Sequence, residues 1–128
     1  KGPVSGVMEY GERITHDGLN LLSAPGNDLV ASTALAASGC QIVTFTTGRG
    51  TPFGTFVPTM KISTNNDLAT RKSNWIDFNA GQLLLGKDMK SVRDSFIDKV
   101  IAVASGEKAR NEINGYSEIA IFKNGVTL

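Results

Sequence analysis

The chain has 128 residues, 41% hydrophobic and 20% charged, and its 13 Lys and Arg offset 12 Asp and Glu to a net charge of +1. It has no block of like charge to recommend nucleic acid or an anionic membrane as a partner, and no apolar run approaches the roughly 18 residues of a membrane helix. Its one cysteine, Cys40, excludes an internal disulfide and fits a reducing cytoplasm.

Residues 1–18 are rich in glycine and turn formers, with a short strand expected over "VMEY" (7–10). "GLNLLSA" (18–24) reads as the first clear strand, stopped by Pro25-Gly26. "NDLVASTALAASG" then reads as a helix. Asn27 suits the cap, Asp28 suits the positive end of the dipole, and Gly39 suits the left-handed stop. "QIVTFTT" (41–47) is β-branched and apolar, the pattern of a strand covered on both faces. "TMKIST" (59–64) alternates as a strand, "NNDLATRK" (65–72) reads as a short helix, and "WIDFNA" (75–80) alternates again. In the second of these strands, Lys61 reads as an exposed edge residue. In "WIDFNA", Trp75, Asp77 and Asn79 would share a face, and Asp77 and Asn79, near the strand end, can reach a ligand or bond neighbouring loops, the second being the preferred reading. From Asp88, "DMKSVRDSFIDKVIAVASG" places Met89, Val92, Phe96, Val100 and Val103 at helical spacing, ending at Gly106. Residues 107–115 read as loop and "SEIAIF" (117–122) as the last strand, followed by the tail "KNGVTL". This order predicts an α/β layered fold: a largely parallel sheet flanked by helices, Rossmann-like in architecture. Residues 1–128 read as one domain.

The catalytic inventory is thin. His16 is the only histidine and reads as a solvated turn residue, while Cys40 reads as a small buried hydrophobe. No GxSxG, HExxH or CxxC is present. The chain opens on Lys1, without an initiator Met. Both features point to a piece of a longer protein that supplies only part of an active site.

Two loops carry candidate chemistry. "TTGRGTPFG" (46–54) leaves the end of a strand, where open α/β sheets bind ligands. The backbone N–H groups around Gly48 and Gly50 can converge on an anion. Arg49 can grip a carboxylate with two parallel hydrogen bonds. Thr46, Thr47 and Thr51 can bond sugar hydroxyls. The glycine pattern is that of neither a dinucleotide fingerprint nor a Walker loop, and a plain turn between strands is the competing reading. "SAPGND" (23–28) also leaves a strand and opens a helix, so Asn27 and Asp28 can line an anion site or form an ordinary capped turn. If strands 18–24 and 41–47 are parallel neighbours, both loops share one sheet edge.

Four segments carry a resemblance: "GNDLVASTALAASGCQIVTFTTGRGTPFG", "VPTMKISTN", "NWIDFNAG" and "SEIAIFKNGVTL". Together they resemble the C-terminal domain of the altronate and galactarate dehydratase family across nearly the whole chain, most weakly in 1–17 and 82–112. "TPFGTFVPTMKIST" resembles the altronate branch more than the galactarate branch. The resemblance implies a cytoplasmic hydro-lyase of hexuronate catabolism that takes D-altronate to 2-dehydro-3-deoxy-D-gluconate. It also implies a divalent metal, iron(II), used by the full-length enzyme and not bound by this fragment alone. The metal ligands and the general base would come from a preceding domain of the same chain, so no catalytic residue is assigned here. Arg49 with the amides of Gly48 and Gly50 would hold the substrate carboxylate, and the threonines its hydroxyls, with Asn27 and Asp28 beside them. The fragment alone would be inactive, and assembly into a homo-oligomer is left open. The rival readings are a galactarate-type domain, a stand-alone anion-binding module without catalysis, and a structural domain whose glycine loop only turns the chain.

Overall fold

A computed structural model describes residues 2–123. Its strands are β1 (Val4–Met8), β2 (Leu19–Leu22), β3 (Val43–Thr47), β4 (Thr59–Ser63) and β5 (Phe78–Asn79). The helices are α1 (Asp28–Ser38), α2 (Asn66–Arg71), α3 (Met89–Ala104) and α4 (Arg110–Ile113), with a 3-10 helix over Ala80–Leu85. Every strand pairing is parallel, in keeping with the α/β reading. The strands form two small sheets, however: β1 pairs with β2, and β3-β4-β5 make a second sheet. The single sheet expected from the strand order is corrected accordingly.

The helix boundaries follow local chemistry. Asn27 Oδ1 accepts from Val30 N–H at 3.1 Å and starts α1. Gly39, at φ 118°, closes it by donating to Ala36 and Leu35 carbonyls. Asp88 caps α3 by accepting from Ser91 N–H at 2.9 Å. Along α3, Val92 and Val103 are buried, with Phe96 and Val100 half-buried. Met60, Val103 and Ala109 make a core cluster, backed by Ile42, Phe96 and Val100. Phe78 meets Phe96 edge to face at 5.2 Å.

Several elements differ from expectation, each for a local reason. The first strand begins at Val4 and ends at Met8, because Glu12 N–H returns to the Glu9 carbonyl and closes a turn at 9–12. Residues 75–77 do not join β5: the Trp75 and Ile76 amides fold back to the Lys72 carbonyl at 2.8 and 3.1 Å. Trp75, Asp77 and Asn79 therefore do not line one strand face. Residues 107–115 contain α4. Residues 117–122 form no strand. Their alternate amides donate instead to the Gly54 carbonyl from Glu118, to Thr33 Oγ1 from Ala120 and to Tyr10 Oη from Phe122. The tail 124–128 lies outside the described residues. Cys40 is half-buried rather than buried.

Candidate functional site: the loop after β3 and the cationic cavity

β3 and β4 run side by side in register from Val43↔Thr59 to Thr47↔Ser63. The loop leaving β3 and the helix α2 following β4 therefore emerge from adjacent carboxyl ends, the usual ligand edge of a parallel sheet. Backbone and side-chain hydrogen bonds fix the two together. Thr64 N–H donates to the Thr47 carbonyl at 3.0 Å, and Asn65 Nδ2 donates to the Gly48 carbonyl at 3.0 Å. Asn65 Oδ1 also accepts from Leu68 N–H at 2.8 Å, which caps α2. One asparagine thus ties the loop to the start of the helix.

Within the loop, Gly50 N–H donates to Thr47 Oγ1 at 2.9 Å. Gly50 has φ 86°, and a Cβ there would stand 3.0 Å from Leu68 Cδ1, so both backbone and packing call for glycine. Its amide is engaged inside the loop and does not converge on a ligand as the glycine spacing suggested. Thr46 and Gly48 are exposed and Thr51 is half-buried.

Arg49 is exposed and lines a cavity of about 480 Å³ together with Leu68, Arg71 and Lys72. Arg71 pairs with Asp67 one turn back. The Lys72 ammonium lies 4.4 Å from the centre of the Trp75 ring, a cation–π contact. Arg49 has no carboxylate partner among the described residues, which leaves its planar fork of donors open for an anion. Asn27 and Asp28 do not line this cavity. The shared-edge premise fails because β2 and β3 belong to different sheets. Asn27 caps α1, and Asp28 is the exposed first residue of that helix.

Behind the loop lies a buried polar network. Lys61, in the central strand β4, is 1% exposed, which corrects its reading as an edge residue. Its Nζ donates to the Phe53 carbonyl and lies 5.1 Å from the Phe53 ring centre. Desolvation lowers the Lys61 pKa, opposed by the pull of Asp77 and then Glu118. Asp77 accepts from Lys61 N–H and Arg110 N–H, both at 2.8 Å, so it bonds neighbouring segments, as expected. Asn79 likewise caps the 3-10 helix through Gly81 N–H and donates to Asn66.

Burial raises the Asp77 pKa above 3.8, against the opposing backbone hydrogen bonds from Lys61 and Arg110. Between pH 3.8 and that raised value, the folded chain holds a proton the unfolded chain has released. This contribution to stability is complete below 3.8 and is lost as pH rises through the folded pKa. The stability of the wild type relative to Asp77→Asn is therefore expected to fall on going from pH 3 to pH 7. Urea midpoints across that range check it; a gap that widens in favour of the wild type would refute it.

The comparisons with known proteins bear on the whole chain. Residues 1–127 match the family model described as D-galactarate/Altronate dehydratase, C-terminal. The chain belongs to the D-galactarate/altronate dehydratase family.

Altronate dehydratase of Escherichia coli (strain K12) is 58% identical over 95% of this chain and 25% of the relative. Altronate dehydratase of Bacillus subtilis (strain 168) is 60% identical over 98% of the chain and 26% of the relative. Galactarate dehydratase (L-threo-forming) of Escherichia coli (strain K12) is 34% identical over 95% of the chain and 24% of the relative. The chain thus spans about a quarter of the length of these dehydratases. Among the described residues no group of three or more His, Cys, Asp or Glu can hold a metal ion. The side chains of the described residues do not by themselves make a site for the metal that the resemblance implies. No helix of the described residues is long and apolar enough to cross a membrane.

Arg71, Lys72 and Lys61 escaped the sequence reading as parts of this region. For the first two a signal was present. A helix that follows the strand beside β3 must start next to the loop, and its last residues are basic.

Proposed function

We propose that this chain is the substrate-facing part of a sugar-acid dehydratase acting on D-altronate, and that Arg49 holds the substrate carboxylate. The observation that carries the reading is the cavity at the strand ends, where Arg49, Arg71 and Lys72 are three of the four lining residues. The 58–60% identity to two altronate dehydratases, against 34% to the galactarate dehydratase, supports the altronate branch.

The chemistry needs cations at this point. Dehydration removes the C2 proton beside the carboxylate, then expels the C3 hydroxyl as water, and the enol product tautomerises to the 2-keto acid. No electrons are gained or lost. The C2 proton is weakly acidic because negative charge spreads onto the carboxylate as it leaves. A guanidinium paired with that carboxylate lowers the barrier by stabilising the developing enediolate. The flanking ammonium of Lys72 raises the local positive potential in the same cavity, while the Arg71 guanidinium is offset by its pair with Asp67. Thr46 and Thr51, in the same loop as Arg49, would offer their hydroxyls to the substrate in this reading. The proton-transfer groups and the divalent metal, iron(II), belong in this reading to the rest of the longer chain. The setting is hexuronate catabolism in the cytoplasm.

The full-length protein is expected to convert D-altronate to 2-dehydro-3-deoxy-D-gluconate, while the 128-residue chain alone does not. A keto-acid assay against a panel of hexonates and hexarates, with and without iron(II), tests both statements. Preference for galactarate would move the chain to the other branch. Full-rate turnover by the 128 residues alone would end the shared-site reading.

A further inference from the structure

The β1-β2 unit is incomplete as it stands. Val4 pairs with Leu19 and Val7 with Leu21, and a bulge between Val4 and Gly6 offsets the odd spacing of the two valines, so the four side chains stand on one face of a two-stranded parallel ladder. All four are exposed, at 49%, 55%, 73% and 50% respectively. Among the described residues each strand has one partner only, which leaves the outer N–H and C=O groups of both strands open. Parallel sheets are ordinarily covered on both faces, a two-stranded sheet is marginal on its own, and open edges are templates for further pairing. Only the opposite face is partly covered, where Met8 is buried and Leu22 half-buried.

The relatives are about four times as long as the region they share with this chain, and the matching family model describes a C-terminal part. In a polypeptide of that length the preceding segment enters at β1. We infer that this preceding segment is the occupant: it adds at least one strand to the open edge of the β1-β2 sheet and lays apolar side chains over Val4, Val7, Leu19 and Leu21. The apolar face sets the chemistry of the partner surface, which is itself apolar and carries no unpaired charge at its centre. Such a joint would also hold the preceding domain in a fixed relation to the rest of this chain. The inference rests on the longer chain and not on the choice of substrate, so a failed altronate assay and a failed docking test are separate results.

The test uses the full-length protein carrying Val7→Cys or Leu21→Cys, labelled with a bulky maleimide in native buffer and in urea, with the modified site read by mass spectrometry. Native labelling is expected to be at least tenfold slower than in urea, and equally slow at all protein concentrations. Native labelling close to the urea rate would overturn the inference. Protection that disappears on dilution would overturn it too, because a second copy would then be the cover. Hydrogen exchange across 4–8 and 19–22 in the unaltered protein gives the same reading without a substitution. Slow exchange at every dilution supports the inference, and rapid or dilution-sensitive exchange refutes it.

Discussion

Asn111→Ala is expected to destabilise the fold by about 3–5 kcal/mol, enough to halve or abolish a typical margin. Asn111 is 2% exposed and bonds three segments at once. Its Oδ1 accepts from Thr59 N–H at 2.9 Å, and its Nδ2 donates to the Thr55 and Tyr116 carbonyls at 3.4 and 3.2 Å. Alanine leaves a buried amide and two carbonyls without their partners, each costing about 1–3 kcal/mol before relaxation. The substitution also removes Asn111 Nδ2 and Cγ, which a Cβ at Gly54 would approach within 2.5 and 2.6 Å, while the Asn111 Cβ stays in place. Urea or thermal unfolding of wild type and variant measures the loss. A change below about 0.5 kcal/mol, the range of ordinary surface substitutions, would show that the network does not hold this segment.

Arg49→Ala in the full-length enzyme is expected to lower kcat/KM on D-altronate by roughly a hundredfold while folding stays intact. A charge-assisted pair contributes about 1.5–3 kcal/mol, and each 1.36 kcal/mol in the barrier is a factor of about ten. Arg49 is exposed and joins no ion pair among the described residues, so stability should move by no more than about 0.5 kcal/mol. Arg49→Lys keeps the charge without the fork and should fall between the two. The split between KM and kcat is informative. A change in KM alone would mean that the contact is equal in ground and transition states; a fall in kcat would mean that it tightens on the enediolate.

The helices were the most legible part of the chain, because their signals are local. Asn27 and Asp88 cap, Gly39 stops, and the apolar spacing of α3 is regular. The strands were legible where the chain is β-branched, as at β3, and misread where a turn borrows the same alternation, as at Trp75–Ile76. Sheet order was not legible, since local pattern does not say that β3 pairs with β4 while β2 pairs with β1. That gap decided the surroundings of the candidate site. The sequence proposes the loop at 46–51 as a candidate, but the neighbours suggested for it, Asn27 and Asp28, follow a strand of the other sheet. The residues beside Arg49 are Arg71 and Lys72. Lys61 was misread for a related reason. Alternation with Met60 and Ile62 suggested a solvent face, whereas β4 is central and all five of its residues are buried. A polar side chain there had to find the Phe53 carbonyl.

The most direct test of a carboxylate held by Arg49 is chemical rescue. Full-length Arg49→Ala is assayed on D-altronate with added guanidinium, and with urea at equal concentration as the control. Restoration of turnover by guanidinium and not by urea is the predicted result. A variant that already turns over at the wild-type rate, or one that guanidinium helps no more than urea, would contradict the account.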